Sequence, residues 1–154
     1  MLLSPMRNEE FHQYRELSVR EYAEEKVRAG NWKEEEALEK SEEQFRQLLP
    51  DGVNTVDHYL FIMQEDGEAV GVIWLYRQTP EKGFIYDIKV DESKRGFGHG
   101  ERAMRALETE AEKLGLATIG LHVFGHNKIA RRLYEKLGYI ETNISMEKKL
   151  PRDS

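Results

Sequence analysis

Residues 95–100 read Arg95-Gly96-Phe97-Gly98-His99-Gly100, three alternating glycines behind an arginine. Glycines without Cβ atoms let a backbone close on an anion and take positive φ angles. The stretch lies between an expected strand and an expected helix, where amide N–H groups and a helix dipole converge on phosphate. Further along stand His122, which can take up a proton near neutral pH, Asn127, and Tyr134, which can give one up.

Two phosphate-binding patterns fail on these residues. A P-loop ends in Gly-Lys-Ser/Thr, whereas Gly100 is followed by Glu101-Arg102. The dinucleotide fingerprint needs a third glycine where Glu101 stands, and it normally opens the fold instead of following its middle. The loop therefore suits a phosphate but not ATP or NAD. The bland alternative is a glycine-rich turn.

The chain must fold around these residues with 154 amino acids, enough for one domain with a real core. No run approaches the roughly 18 apolar residues of a membrane span, and the first residues lack the pattern of a secretory signal. The chain has no cysteine, which excludes disulfides, zinc–thiolate sites and a cysteine nucleophile. His99 and His126 lack metal-ligand spacing, and no metal is expected. A cytoplasmic protein is expected. A formal net charge of −6 argues against a nucleic-acid partner.

Hydrophobic spacing predicts a short edge strand at 1–6, a helix capped by Asn8 and running to about Ala29, and a charged helix over 33–48. Strands follow at 59–64 and 69–77, joined at Asp66-Gly67, and then at 84–90. A helix over 98–114 carries one apolar stripe, Ala103, Met104, Leu107, Ala111 and Leu114. A strand at 117–123, a helix at 128–137 and a last strand over 139–150 complete the expectation. The class is α/β, with antiparallel hairpins first and β-α-β units later.

The order strand, Arg-x-x-Gly-x-Gly, helix, strand, and then Asn127-x-x-Ala130-x-x-Leu133-Tyr134-Glu135-x-Leu137-Gly138-Tyr139 resembles the GCN5-related N-acetyltransferase (GNAT) family. The specific likeness covers about Phe84 to Ile140. It implies the acyl-CoA N-acyltransferase fold over 1–154: a mixed, mostly antiparallel sheet of six to seven strands with one splayed parallel pair, and about four helices. It implies acetyl-CoA as cosubstrate and an amine as acceptor, with no membrane partner. Homodimers are common in that family, and nothing in the sequence specifies an interface.

By the same resemblance, amides from Arg95 to Gly100, Phe97 and His99 included, would hold the pyrophosphate. Backbone groups of Ile88, Lys89 and Val90 would hold the pantetheine arm, with the Ile88 N–H polarising the thioester carbonyl. Asn127 and Ala130 map beside that arm, and Asn127 also reads as a plain helix cap. Tyr134 matches the family's general acid: a phenol of pKa roughly 10 can protonate a thiolate whose acid has a pKa of roughly 8.5. Without cysteine an acetyl-cysteine intermediate is impossible, and direct attack of the amine on the thioester is the expected chemistry.

The base is open. Relatives place a glutamate where His122 stands, and a sheet histidine held by hydrogen bonds is an equal reading. Others carry a base at positions matching Phe84 and Tyr86, neither suited here. Strict alternation predicts that Asp87 points away from the face of Tyr86. At pH 7 freeing an α-amine costs about 1.4 kcal/mol and a lysine about 4.6 kcal/mol. Glu16, Glu21, Glu24, Glu25 and Glu34–Glu36 could roof a cationic acceptor or simply face water. A non-catalytic acyl-CoA sensor or interaction module is the alternative function.

Overall fold

A computed structural model describes residues 1–152. The chain divides into two compact units, Met1–His122 and Val123–Ser154.

The first unit is one sheet in the order β1 (Leu2–Pro5), β2 (His58–Glu65), β3 (Glu68–Arg77), β4 (Lys82–Val90), β5 (Thr118–Leu121). The first three pairings are antiparallel and β4·β5 is parallel. Asp66 and Gly67 both take positive φ, 53° and 77°, the backbone that a two-residue hairpin turn demands. Helices α1 (Asn8–Arg28) and α2 (Glu34–Leu48) come before β2, and α3 (His99–Lys113) joins β4 to β5.

Alternation along the strands makes two cores. On one face Leu60, Ile62 and Trp74 pack with Met6, Phe11, Val19, Phe45 and Leu49 of the α1/α2 region. The opposite parity buries Met63, Ile73, Leu75 and Ile85, and α3 buries Ala103, Met104, Leu107 and Ala111. Full burial of such side chains contributes about 1.5–3 kcal/mol each. Ser41 is the buried polar residue of the helix pair; its hydroxyl donates to the Val19 carbonyl at 2.7 Å.

The second unit holds α4 (Lys128–Lys136). Asn127 caps it, its side chain accepting from the Ala130 N–H at 3.2 Å. Gly138, at φ 94°, ends it, and the Tyr139 N–H returns to the Tyr134 carbonyl at 2.9 Å.

Two expectations need correction. Among the described residues the sheet has five strands, not six to seven, because residues 139–150 form no strand. A strand exists only by pairing, and α4 is the one regular element of that unit among the described residues. Arg7, not Asn8, caps α1, its N–H donating to Glu10 Oε1 at 2.9 Å.

Candidate functional site

The parallel pairing of β4 with β5 runs from Lys82↔Thr118 to Ile85↔Leu121. β4 then continues through Tyr86–Val90. The Asp91 N–H donates to the Val70 carbonyl on β3 at 2.8 Å, which fixes the parity of the strand. Lys89 and Asp91 turn their backbone groups toward β3, and Ile88 and Val90 turn theirs to the other side. The Val90 carbonyl accepts from Arg95 Nε at 3.1 Å. Gly71 sits opposite Val90, where a Cβ would strike the Lys89 carbonyl and come within 2.8 Å of Met63 Sδ.

The glycine loop follows a turn of 3-10 helix at Glu92–Lys94. Gly96 and Gly98 take φ of 87° and 78°, which residues with a Cβ rarely adopt. Gly98 is the N-cap of α3, so the first free amides of a 15-residue helix open onto the loop. A Cβ added at Gly96 would meet nothing within 4 Å, so the φ and not crowding is what favours glycine there. Phe97 is exposed, and Gly100 lies in the first turn of α3. His99 Nδ1 lies 2.9 Å from the Arg102 guanidinium, which also donates to Glu65 at 2.9 Å.

The structure places the other sequence-predicted residues as follows. The Lys89 ammonium is engaged by both oxygens of Glu21, at 2.9 and 2.8 Å, so its charge faces α1 and not the loop. His122 follows the last residue of β5 and is exposed. In the second unit Ala130 lies one helical turn from its cap Asn127, and the Tyr134 ring meets Tyr139 edge-on at 5.9 Å. Glu16 and Glu36 pair within their own helices with Arg20 and Lys40, and Glu24, Glu25, Glu34 and Glu35 are exposed. Of that acidic group, Glu21 reaches the sheet.

Asp87 departs from expectation. The β3·β4 register shifts between Trp74 and Leu75: Trp74 faces Asp87 and Leu75 faces Ile85. Tyr86 is therefore the extra residue of a β-bulge, and a bulge turns two successive side chains to one face. Tyr86 packs against Trp74 at 4.9 Å between ring centres, and also against Tyr76, His58 and Phe84. Asp87 accepts a hydrogen bond of 2.6 Å from the Tyr14 hydroxyl of α1. Both thus stand on the α1/α2 face, which corrects the alternation argument. Burial pushes the Asp87 carboxyl above the usual carboxylate range, opposed by the Tyr14 hydrogen bond, Lys89 and the Ile88 N–H. Burial and the Asp87 charge push the Tyr14 phenol well above 10.

Sequence reasoning missed Tyr14 and misplaced Asp87. At helical spacing with Phe11 and Tyr22, Tyr14 reads from the sequence as one more apolar position of α1. Nothing in the residues 84–90 themselves marks a bulge, since it carries no glycine.

Among known proteins, the model of the Acetyltransferase (GNAT) family matches residues 11–139. An uncharacterized N-acetyltransferase of Bacillus subtilis, YycN, is 40% identical over 154 residues, 97% of this chain and 99% of its own length. A second from the same organism, YdgE, is 40% identical over 152 residues, covering 96% and 97%. The crystal structure of YycN superposes with a TM-score of 0.85 over 98% of this chain and 99% of that one. A GNAT acetyltransferase of Elizabethkingia anophelis with acetyl-CoA bound shares the fold, at TM-score 0.57, 21% identity and coverage of 66% and 62%.

Proposed function

The chain belongs to the GNAT acetyltransferase family and is an N-acetyltransferase; from that premise we propose that it moves the acetyl group of acetyl-CoA directly onto a primary amine. The observation that carries this is the open side of β4. Ile88 and Val90 turn their backbone groups there, next to a glycine loop that opens onto the N-terminus of α3. An acyl-CoA has parts to match both: amides along its pantetheine arm to pair with a strand, and a pyrophosphate for a helix N-terminus. The relative from E. anophelis binds acetyl-CoA.

The residues present fit that donor. Gly96 and Gly98 hold the positive φ that turns the loop into the helix N-terminus, a Cβ at Gly98 would press on the Arg102 guanidinium, and Arg95 is tethered to Val90 at the strand end. The family pattern assigns Asn127 and Ala130 to the same donor. The bound donor supplies an electrophilic thioester carbonyl. The Ile88 N–H orients and polarises that carbonyl. Tyr134 protonates the departing thiolate and regains its proton from the nitrogen through solvent. No acetyl-enzyme forms on a cysteine, since the chain has none. We read residues 1–154 as one acetyltransferase domain, because the family match runs across the boundary between the two units.

Thermal unfolding with acetyl-CoA, and with ATP and NAD as controls, tests the donor. Stabilisation by acetyl-CoA alone is expected, and equal stabilisation by ATP would sink the reading. Release of free thiol in the presence of a panel of amines tests the transfer.

A further inference from the structure

The acetyltransferase reading leaves open which group takes the proton of the acceptor ammonium. The bulge supplies one. Tyr86 adds one residue to β4, so Asp87 shares the α1/α2 face with the exposed Tyr86 ring. It stands two residues beyond Ile85, the last residue of β4 paired with β5, and next to Ile88, whose N–H takes the open side. One carboxylate oxygen, Oδ2, accepts the Tyr14 hydroxyl at 2.6 Å.

We propose that Asp87 is the base that takes the proton of the acceptor ammonium, and that Tyr14 positions its carboxylate and sets its strength. This rests on the acetyltransferase reading and deepens it.

The proton balance is simple. R–NH3+ gives one proton to the Asp87 carboxylate and becomes R–NH2. The nitrogen lone pair attacks the thioester carbonyl carbon; the C–N bond forms, the C–S bond breaks, and the thiolate leaves with its electron pair. The second nitrogen proton matches the one the thiolate takes up, and Asp87 returns its own to water.

The charged and titratable groups around Asp87 support this role. From α1 come Tyr14 and Glu21, with the Ser18 hydroxyl next to Tyr14. From β4 comes Lys89, whose charge is held by Glu21 at 2.8 Å. From β3, Trp74 stands opposite Asp87 in the ladder, on the same face. Burial makes the carboxylate a stronger base than an exposed one, moving it toward the working pH. His122, the other candidate, is exposed just past the end of β5.

The test is the pH dependence of kcat for the wild type, Asp87→Asn, Tyr14→Phe and His122→Ala, with an amine that the wild type acetylates. Asp87→Asn should lower kcat by about 100-fold or more near pH 7, keep its thermal stabilisation by acetyl-CoA, and recover part of the loss above the pKa of the amine. Tyr14→Phe keeps the carboxylate but removes a bond that favours its charged form, so the acid limb should move to higher pH. A merely structural Tyr14–Asp87 tie would move neither limb nor recovery. A wild-type profile in Asp87→Asn, or an acid limb abolished by His122→Ala instead, overturns the proposal while the transferase reading stands. If Asp87→Asn fails to fold, an unmoved limb in Tyr14→Phe overturns it alone. A wild type that acetylates no amine overturns both.

Discussion

The indole N–H of Trp74 on β3 donates to Nδ1 of His58 on β2 at 2.9 Å. His58 also stacks on Tyr76, 4.4 Å between ring centres. The bond requires an unprotonated Nδ1, so the neutral ring carries its proton on Nε2. Burial pushes the His58 pKa below 6.5, against a smaller pull from Asp57. The folded value is the lower one, so this contribution to stability is fully present above the unfolded pKa of roughly 6.5 and is lost as pH falls through the folded value. The wild type should therefore lose more Tm between pH 7.5 and pH 5 than His58→Gln does. Parallel slopes in the two proteins would refute the assignment.

Asp87 predicts the opposite sign. Its folded pKa is raised, so its contribution is largest below the unfolded value of roughly 3.9 and falls away as pH rises through the folded one. Relative to Asp87→Asn, the wild type should gain Tm on acidification from pH 7 to pH 4. At neutral pH the variant should be no less stable than the wild type, the usual balance where a site keeps a destabilising charge for its chemistry. A Tm difference that does not change with pH would count against a raised pKa.

Gly71→Ala should be costly although the residue is small. Its Cβ would meet the Lys89 carbonyl and the Met63 sulfur in a ladder that cannot give easily. We expect a loss of about 1–3 kcal/mol, read as several degrees of Tm, together with weaker stabilisation by acetyl-CoA because β4 is pushed from its place. Gly67→Ala, in open space at the hairpin, should lose Tm through its positive φ and leave the response to acetyl-CoA intact.

Tyr134→Phe should lower turnover and leave the thermal shift caused by acetyl-CoA nearly unchanged. In the proposed reaction the phenol serves the leaving thiolate, while backbone groups hold the donor. Equal kcat in both proteins would remove Tyr134 from the chemistry.

Most of the scaffold could be read from residue types. The Asp66-Gly67 hairpin, the stripe of α3 and the Asn127 cap are local signals, and each element lies within a few residues of its expected span. The glycine loop was legible because positive φ at Gly96 and Gly98 is a property of the residue itself. Asp87 was not, because its direction depends on how β3 and β4 are registered, and a bulge is a relation between two strands. Tyr14 was hidden for a related reason: its hydroxyl finds a partner 73 positions away, a distance that helical spacing does not report. The 139–150 segment misled in the reverse way, having residues that suit a strand and no strand to pair with among the described residues of its own unit.

The bulge in β4 also changes what evolution can vary cheaply. At Tyr86 the strand holds one residue more than its neighbour requires. Losing that codon would restore the regular ladder with Asp87 still opposite Trp74 and every other pair kept, and would delete one aromatic ring from the face beside the carboxylate. Chain length at a single position, more than substitution along the strand, thus becomes the variable by which descendants of this fold can reshape what lies next to Asp87.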